Sequence, residues 1–580
     1  MSMADETRLA RWRPWAGALL GLAWFIALGG GPALDPTHLD WLGWGDWTKS
    51  VLGWWFFRDA PWSFPLGRTP DLMPPLLTTV GFTDSNPWVS VLLKPFTRVL
   101  PRDFQFIGIW LAACLALQGF MGVKLMSVIT PRASHQMIGA AFFVLAPVLV
   151  FRFGHDALCA HWMVTALLWL HLRPCPDAHS AWRTLRIALL LNVLAAGTHP
   201  YLAVMVFALS TALLIGMVWP TRRLGWRQVG LAFLGGSLAV GAVFLLFGYV
   251  GQGVSGATSG FGVYSADMLS LFNPMGWSRI LPWLPAQEGQ YEGFGYLGTG
   301  VLVLALAALL GRPSVWWREA CTRVRAHAPL MGIVMLLALF AFSTTMTLGG
   351  VTVLTMRKLA APLMPVVGMF RASGRFIWPL HYVVLTGILA LAVWRWRQRP
   401  ALVTGVLVGA LLLQVVDTAD LWTQQRFRSA PWPRLVAPEW EQLDPDYRHV
   451  IMFPPYIHGS QVPCVESTFA QYDSVRWGDL AYRKGLTTNS GYAARFNDRQ
   501  VQEVCAALTT NIEKGQFAPD TVYVVDPTRL ALFERQGERV TCGTLDGFKV
   551  CVASTGGRFQ EALLKTTVRA PAPPTADSPP

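Results

Sequence analysis

Apolar segments about as long as a bilayer is thick recur along most of this chain, and basic residues cluster in alternate connections between them. A helix needs roughly twenty residues to cross the hydrocarbon of a membrane. The pattern predicts a polytopic α-helical membrane protein with about 11 transmembrane helices. The predicted spans are 15–34, 106–126, 137–150, 158–172, 185–198, 202–219, 229–250, 294–310, 329–349, 376–394 and 402–416.

Composition supports a membrane protein and argues against a nucleic-acid-binding one. Of the 580 residues 53% are hydrophobic and only 14% are charged, and the mean hydropathy is +0.38. A soluble multidomain protein carries more charge and shorter apolar runs. The formal net charge of +13 is spread over short loops beside the apolar segments and forms no single basic stripe. We therefore interpret the charge as a signal of membrane topology.

The basic loops fix a predicted orientation, because cationic residues favour the cytoplasmic side of a membrane. Residues 1–14 contain three arginines and resemble the start of a signal peptide, but no persuasive cleavage site follows, so we expect an uncleaved first span and a cytoplasmic amino terminus. The other loops predicted on this side carry Lys124 with Arg132, Arg173 with Arg183 and Arg186, Arg222 with Arg223 and Arg227, Arg312 through Arg325, and Arg395 through Arg399.

An odd number of spans places the carboxy-terminal part of the chain outside the cytoplasm. We assign 15–418 to the membrane domain, 419–565 to an extracytoplasmic α/β domain, and 566–580, rich in proline and alanine, to a disordered tail. Short strands are predicted at 448–453, 521–525 and 548–552, with a helix near 498–508.

The predicted external domain contains four of the eight cysteines. Cys464, Cys505, Cys542 and Cys551 predict two disulfides in an oxidising compartment, with free buried thiols as the alternative. The pairing does not follow from the sequence.

Three long external loops are predicted within the membrane domain, at 35–105, 251–293 and 351–375. The first is rich in aspartate and tryptophan, and Asp46 precedes a predicted amphipathic helix whose apolar face would lie in the outer membrane interface. A carboxylate at the mouth of a membrane cavity can act as a general base or help to hold a metal, whereas helix capping is the simpler role. The tryptophans are also typical of ordinary interfacial anchors.

Several sequence strings make the layout more specific. They are Gly45-Asp46-Trp47, Trp54-Trp55-Phe56-Phe57-Arg58-Asp59, Phe272-Asn273-Pro274-Met275-Gly276-Trp277 and Arg371-Ala372-Ser373-Gly374-Arg375-Phe376. Together with the first span, the long external loop and the external terminal domain, they resemble a mostly uncharacterised bacterial family with the architecture of C-type (GT-C fold) membrane glycosyltransferases.

The resemblance implies transfer of a sugar from a polyprenyl-phosphate-linked donor to a glycan, lipid or protein acceptor at the extracytoplasmic face of a bacterial inner membrane. An acidic residue of the first external loop takes part in catalysis in that enzyme class, and Asp46 is the best-placed match, with Asp40 and Asp35 as substitutes. The acidic pair found in this loop of several such enzymes is absent here, because Trp47 follows Asp46.

Two arginines on the predicted external side depart from the topology rule. Arg371 and Arg375 are four residues apart and share a face if the segment is helical. Guanidinium groups bind phosphate oxygens in pairs, so these residues suit the donor phosphate, with Arg357 and Lys358 adding to the same field. The alternative is that all four contact ordinary lipid headgroups.

Other polar residues at predicted external edges are candidates for substrate binding. Between two predicted spans lie Arg152, His155, Asp156 and His161. These residues can form local hydrogen bonds or bind an acceptor. A divalent metal is a further alternative, although their spacing matches no standard metal motif. Sugars offer hydroxyl edges and apolar faces to mixed polar and aromatic loops. The remaining candidates are His199, Tyr201, Asn273, Trp277, Glu288, Tyr291 and Glu292.

The sequence disfavours several other functions. It has neither the glycine-rich phosphate loop of an ATP-driven pump nor the nucleophile and zinc motifs of common hydrolases. Charged residues are scarce inside the predicted spans, so a lipid or glycan transporter ranks third among the possible functions. The main alternative to an enzyme is a non-catalytic membrane component of polysaccharide assembly in the cell envelope, and no cofactor is indicated beyond the open question of a metal.

Overall fold

The computed structural model describes residues 3–251, 260–310, 321–424, 427–459, 464 and 466–566. Arg312 and nearly all of the predicted tail, 567–580, lie outside these residues. The chain forms two compact units. Unit 1 comprises Met1–Trp41, Pro101–Phe244 and Gly256–Ala430, and unit 2 comprises Leu42–Leu100, Leu245–Ser255 and Pro431–Pro580.

Helices dominate unit 1. They are Met3–Phe25, Ile107–Ile129, Ala133–Val144, Pro147–Val150, Trp162–Leu172, Ala178–Ala196, Pro200–Val218, Trp226–Leu246, which ends in unit 2, Thr299–Leu309, Ala328–Phe342, Arg357–Ala360, Met364–Val367, Trp378–Arg395, Pro400–Asp417 and Ala419–Thr423.

Among the described residues, six helical stretches are long and apolar enough to cross a membrane, and they indicate a membrane protein. They are Ile107–Ile129, Ala133–Val150, Pro200–Val218, Trp226–Leu246, Ser373–Arg395 and Pro400–Asp417. Shorter apolar helices occupy Asp156–Leu172, Thr299–Leu309 and Ala328–Phe342. Each of the eleven predicted segments contains a helix, while eleven as the number of spans stays a prediction.

Glycines allow the closest helix approach in unit 1. Helix Met3–Phe25 packs along helix Ile107–Ile129, and Gly17 faces Gly119 at the contact. A Cβ atom on either glycine would collide with the backbone of the other. Small residues bring apolar helices together in the same way in membranes, where packing replaces the hydrophobic effect.

The predicted span 329–349 is wrong at its carboxyl end. The helix ends at Phe342, and β1, Thr345–Leu348, then pairs with β2, Val351–Thr355, in an antiparallel hairpin. Gly349 and Gly350 connect the strands with φ values of 60° and 77°. A two-residue hairpin turn of type I′ needs positive φ at both positions, which a Gly-Gly pair supplies without steric cost.

Unit 2 is an α/β structure. Its five-stranded sheet has the order β5-β3-β7-β9-β8, and β4 pairs with β6 separately. The strands are β3 His449–Phe453, β4 Ile457–His458, β5 Thr487–Thr488, β6 Gly491–Tyr492, β7 Thr521–Val525, β8 Val540–Leu545 and β9 Phe548–Ala553. The helices are Trp47–Asp59, Pro87–Leu93, Gln471–Lys484, Asp498–Glu513, Ala531–Glu534 and Arg558–Thr566. The three predicted strands and the predicted helix are confirmed.

Much of the first predicted loop belongs to unit 2. The sequence analysis places 35–105 with the membrane domain, whereas the structure distributes this loop over both units, with 42–100 in unit 2. Leu72 pairs with Thr488 beside the edge strand β5, and the amide of Met73 donates to the carbonyl oxygen of Thr488 at 2.6 Å. The loop thereby continues the sheet past β5.

The expectation that residues after Asp46 form an interfacial amphipathic helix is wrong. Helix Trp47–Asp59 is buried on all its faces inside unit 2, from Trp47 through Arg58. Trp55 stacks on Tyr482 of helix Gln471–Lys484 with ring centroids 5.0 Å apart, and Trp432 lies 5.2 Å from the same indole. Trp47, Trp54 and Trp55 of this helix are therefore core residues and not interfacial anchors.

Both disulfides are present, and the pairing is Cys464–Cys505 and Cys542–Cys551. The second links paired residues on β8 and β9. The other four cysteines, in unit 1, are reduced.

We expect alkylation of the full-length denatured chain to modify four thiols before reduction and eight after it, because four sulfurs are held in disulfides. Intact-mass measurement counts the labels. In the variant Cys505→Ser, Cys464 should gain a label without reduction while Cys542 and Cys551 stay protected. Eight labels on unreduced wild-type protein would contradict the assignment.

Candidate functional site

The most strongly charged buried cluster described in unit 1 has a glutamate between two arginines. Arg152 Nη1 lies 2.7 Å from Glu292 Oε2, and Arg375 donates through Nε at 2.9 Å to the same oxygen and through Nη2 at 3.0 Å to Oε1. The three side chains are between 4% and 10% exposed. We name Arg152, Glu292 and Arg375 the arginine clamp.

Three separate segments supply the clamp. Arg152 follows the short helix Pro147–Val150, Glu292 lies in the single turn Gln290–Gly293, and Arg375 lies in the turn Ser373–Ile377 that leads into helix Trp378–Arg395. A Cβ atom on Gly374 would collide with Gly293, so the last two segments touch through their backbones. The glycine of the Arg371–Arg375 string permits this approach.

The electrostatics of the clamp favour an ionised glutamate. Burial alone would raise the pKa of Glu292, but Arg152 and Arg375 hold the pKa of that carboxyl well below its usual range. Removing one member of a buried ion pair leaves an uncompensated charge, which is strongly destabilising. The clamp therefore joins three chain segments by charge.

A wall of tyrosines orients the arginines. The guanidinium carbon of Arg375 lies 4.8 Å from the ring centroid of Tyr201, and that of Arg371 lies 4.7 Å from the ring centroid of Tyr264. The amide of Ala372 donates to the hydroxyl of Tyr201 at 2.8 Å, and the ring of Tyr291, half exposed, lies 6.1 Å from that of Tyr264. The face of a tyrosine ring attracts a guanidinium group but carries no net charge, so the arginines keep their positive charge.

The clamp together with Arg371 carries a surplus of positive charge. Three arginines accompany one glutamate, so these four side chains have a net charge of +2. Arg371 is exposed, and Arg152 and Arg371 both act electrostatically on the Tyr291 hydroxyl. The arrangement is chemically suited to a doubly charged anion such as a phosphate monoester.

Of the sequence-predicted residues, unit 1 brings Arg371, Arg375, Tyr201, Tyr291 and Glu292 together. His155 is half-buried near them, since its charge acts on Glu292. Asn273 is fully buried, and its side chain bonds to backbone groups of Met275 and Leu284, which assigns it to holding the loop.

Other predicted residues of unit 1 have local contacts. His161 is buried and hydrogen-bonded to Tyr382 at 2.8 Å, and His199 caps helix Pro200–Val218 by accepting from the amide of Tyr201 at 3.2 Å. Arg357 donates to Thr345 Oγ1 at 3.2 Å. The remaining three are Trp277, whose ring lies 6.2 Å from Phe151, and the exposed Lys358 and Glu288.

Two of the three candidate catalytic aspartates lie in unit 1 and are exposed. The carboxylate of Asp35 accepts from the amide and hydroxyl of Thr37 at 2.8 and 2.7 Å, which lowers its pKa. The backbone carbonyl of Asp40 accepts from the amide of Ala430. These contacts give Asp35 a turn-forming role.

Asp46 lies in unit 2 beside a buried lysine. Lys49 Nζ is 2.9 Å from Asp84 Oδ2 and 3.6 Å from Asp46 Oδ1, and it lies 4.0 Å from the ring centroid of Tyr492. The lysine side chain is 4% exposed, against 22% for Asp46 and 17% for Asp84. We name Asp46, Lys49, Asp84 and Tyr492 the lysine cluster.

Local sequence explains how the lysine cluster forms. Lys49 follows Asp46 by three residues and so shares its face at the start of helix Trp47–Asp59. Asp84 lies in a turn and has a φ of 56°. The hydroxyl groups of its neighbours Thr83 and Ser85 pack against Gly53 of the helix, where a Cβ atom would collide with them. Burial alone would lower the pKa of Lys49, but Asp84, Tyr492 and Asp46 raise it, so the amine is charged.

Space beside the lysine cluster is small. The crevice lined by Lys49, Tyr492 and residues of helix Gln471–Lys484 has a volume of about 10 Å³, roughly what one water molecule requires. A sugar would have to approach the cluster from its solvent side, and Asp46 is the more exposed of the two carboxylates. Within the described ranges, no three His, Cys, Asp or Glu side chains are grouped as they would be to hold a metal ion.

Sequence reasoning missed several of these residues. Lys49 had a usable signal, its spacing of three from Asp46. Arg152 was noted at an external edge, but its pairing with Glu292, 140 residues away, has no sequence signature. Tyr264, Asp84 and Tyr492 likewise join their clusters only through the fold.

The family follows from comparison with known sequences. Residues 18–419 match a family model described as a domain of unknown function, DUF6311, and residues 439–553 match the DUF6311 C-terminal domain. The chain belongs to the DUF6311 family. No curated protein matches this DUF6311 chain.

We expect Glu292→Gln to lower the free energy of unfolding by about 3 kcal/mol or more, because two buried arginines then lack a carboxylate between them. Thermal unfolding of the full-length protein in detergent measures the change. Glu288→Gln, exposed in the same loop, is the matched control and should shift stability by no more than about 0.5 kcal/mol. Equal melting curves for the two variants would contradict the structural role of the clamp.

Proposed function

We propose that this DUF6311 protein transfers a sugar from a polyprenyl-phosphate-linked donor to a glycan, lipid or protein acceptor at the extracytoplasmic face of a bacterial inner membrane. The C-type glycosyltransferase resemblance supplies the reaction class. The observation that carries the proposal is the positive surplus of the arginine clamp with Arg371 at the start of the apolar stretch Ser373–Arg395. The count of eleven spans, with the carboxy-terminal domain outside, belongs to the same proposal.

The donor phosphate is assigned to unit 1. Arg371 is the exposed member of the group, while Glu292 occupies the Nε and Nη2 edge of Arg375 and fixes its orientation. In a transfer of this kind the bond between the anomeric carbon and a phosphate oxygen breaks, so the singly charged phosphodiester of the donor leaves as a doubly charged phosphate monoester, and preorganised guanidinium groups stabilise the charge that develops on it. Tyr291, beside Arg152, can contact the sugar.

The acceptor is assigned to unit 2. Its hydroxyl must lose a proton as the new glycosidic bond forms, and a positioned carboxylate is a suitable base. Asp46 is preferred over Asp84, because Asp84 makes the shorter contact with Lys49 and is less exposed. Asp35 and Asp40 rank lower, since Asp35 is engaged in its own turn and both belong to unit 1, outside the lysine cluster.

A non-catalytic role in envelope polysaccharide assembly is the second candidate. The small crevice beside the lysine cluster favours it, because the described shape does not enclose a sugar ring. In that case the arginines would bind a polyprenyl-phosphate sugar without turning it over. Separate measurements of binding and turnover therefore distinguish the two functions.

We expect Arg371→Ala to weaken binding of a polyprenyl phosphate by about tenfold, which corresponds to losing one charge-assisted contact of about 1.4 kcal/mol. Binding of the radiolabelled lipid to full-length protein in nanodiscs measures the effect. Arg279→Ala is the matched control, since Arg279 is another exposed arginine of unit 1 whose partner, Asp420, is also exposed. Unchanged binding in Arg371→Ala, or an equal loss in the control, would reject the donor site.

We expect Asp46→Asn to abolish glycan transfer while membrane abundance stays unchanged, because an amide cannot accept the hydroxyl proton. The measurement is the envelope glycan profile of a deletion strain complemented with each variant. Asp59→Asn, at the exposed end of the same helix, serves as control and should restore the profile. A normal profile from Asp46→Asn would reject the catalytic assignment, and donor binding without turnover in wild-type protein would favour the assembly component.

A further inference from the structure

Unit 1 contains an apolar cavity separate from the arginine clamp. Its volume is about 480 Å³, within the roughly 300–1,000 Å³ typical of small-molecule pockets. It lies among the ends of helices Ile107–Ile129 and Trp162–Leu172 and the walls of helices Ala328–Phe342 and Trp378–Arg395. Its apolar lining includes Ile129, Leu168, Leu172, Met331, Val383 and Ala390.

One end of this cavity is basic. Arg323, His327 and Arg397 line it, and none of the described lining residues is acidic. The guanidinium carbon of Arg397 lies 5.3 Å from the ring centroid of Trp394, which orients the charge. Burial lowers the pKa of His327, so its imidazole is neutral near pH 7 and can still donate a hydrogen bond.

The cavity lies toward the opposite end of the unit 1 helices from the clamp. Arg375 precedes helix Trp378–Arg395 and Arg397 follows it. An 18-residue helix separates them by about 27 Å at 1.5 Å per residue. The two basic sites are thus too far apart to share one phosphate.

The cavity wall has the shape of a site for an amphiphile. Along helix Trp378–Arg395 the lining residues Val383, Gly387, Ala390 and Trp394 recur every three or four positions and so form one stripe, which leads to Arg397. A Cβ atom at Gly387 would meet nothing within 4 Å, so the stripe has open space in front of it. An apolar stripe with cations at one end matches an acyl chain with an anionic headgroup.

We propose that this cavity holds one anionic phospholipid of the surrounding bilayer, with an acyl chain along the Gly387 stripe and the phosphate between Arg323 and Arg397. Basic pockets between transmembrane helices bind such headgroups. Two guanidinium groups favour an anionic lipid over a zwitterionic one, because they attract the phosphate and repel an ammonium group. The inference does not depend on the proposed sugar transfer.

Native mass spectrometry of the full-length protein tests the proposal, with phosphatidylglycerol, phosphatidylcholine and undecaprenyl phosphate added separately. We expect wild-type protein to retain one phosphatidylglycerol. The double variant R323A/R397A should lose at least about tenfold in affinity for it. R223A/R227A, which removes two exposed arginines just before and at the start of helix Trp226–Leu246, is the charge-matched control and should bind as wild type does.

A second pair of variants separates headgroup loss from misfolding. Gly387→Phe fills the stripe and should displace the lipid, while Gly409→Phe adds the same ring on helix Pro400–Asp417, where a Cβ atom also meets nothing within 4 Å, and should not. Equal retention in Gly387→Phe and Gly409→Phe would overturn the proposal. So would preference for phosphatidylcholine or for undecaprenyl phosphate over phosphatidylglycerol.

Discussion

The buried ion pairs of Glu292 with Arg152 and Arg375 set the local structure of unit 1 at one end of its helices. One carboxylate joins the segment after helix Pro147–Val150, the predicted loop 251–293 and the start of helix Trp378–Arg395. Desolvating three charges is costly, so the contact stabilises the protein only with all members in place. Arg371 and the tyrosine wall owe their positions to this contact, because Arg375 stacks on Tyr201 and the Tyr201 hydroxyl accepts from Ala372.

Unit 2 depends on aromatic packing around one helix. Trp47–Asp59 is buried throughout, and Trp55 lies between Trp432 and Tyr482. That burial also places Lys49 in an apolar surrounding, where it is stabilised by Asp84, Asp46 and the face of Tyr492. The charge pattern is the reverse of that in unit 1, since one cation here faces two carboxylates.

The secondary-structure elements are predicted well from the sequence, whereas the way in which they pack together is predicted poorly. Helices follow from long apolar runs, and strands such as 521–525 follow from β-branched residues between turn signals, both of which are local properties. The predicted span 329–349 runs into the hairpin, because apolar residues flank the turn signal Gly349-Gly350. Loop 35–105 looked like an interfacial insertion, since no local pattern reveals that Leu72 pairs with Thr488 or that Trp55 stacks on Tyr482.

The candidate sites divide in the same way. Arg371 and Arg375 were found because charge on the predicted external side breaks a topology rule, and Glu292 was found as part of a polar loop, but their partners needed coordinates. A fold that required these groups only for stability could neutralise each cluster internally, since surplus buried charge is costly. The buried clamp instead carries a net charge of +1, which the exposed Arg371 raises to +2, and the lysine cluster sums to −1. A surplus of positive charge suits binding of a phosphate, and a surplus of negative charge suits removal of a proton from a hydroxyl. This difference is the physical reason for assigning the donor to unit 1 and the acceptor to unit 2.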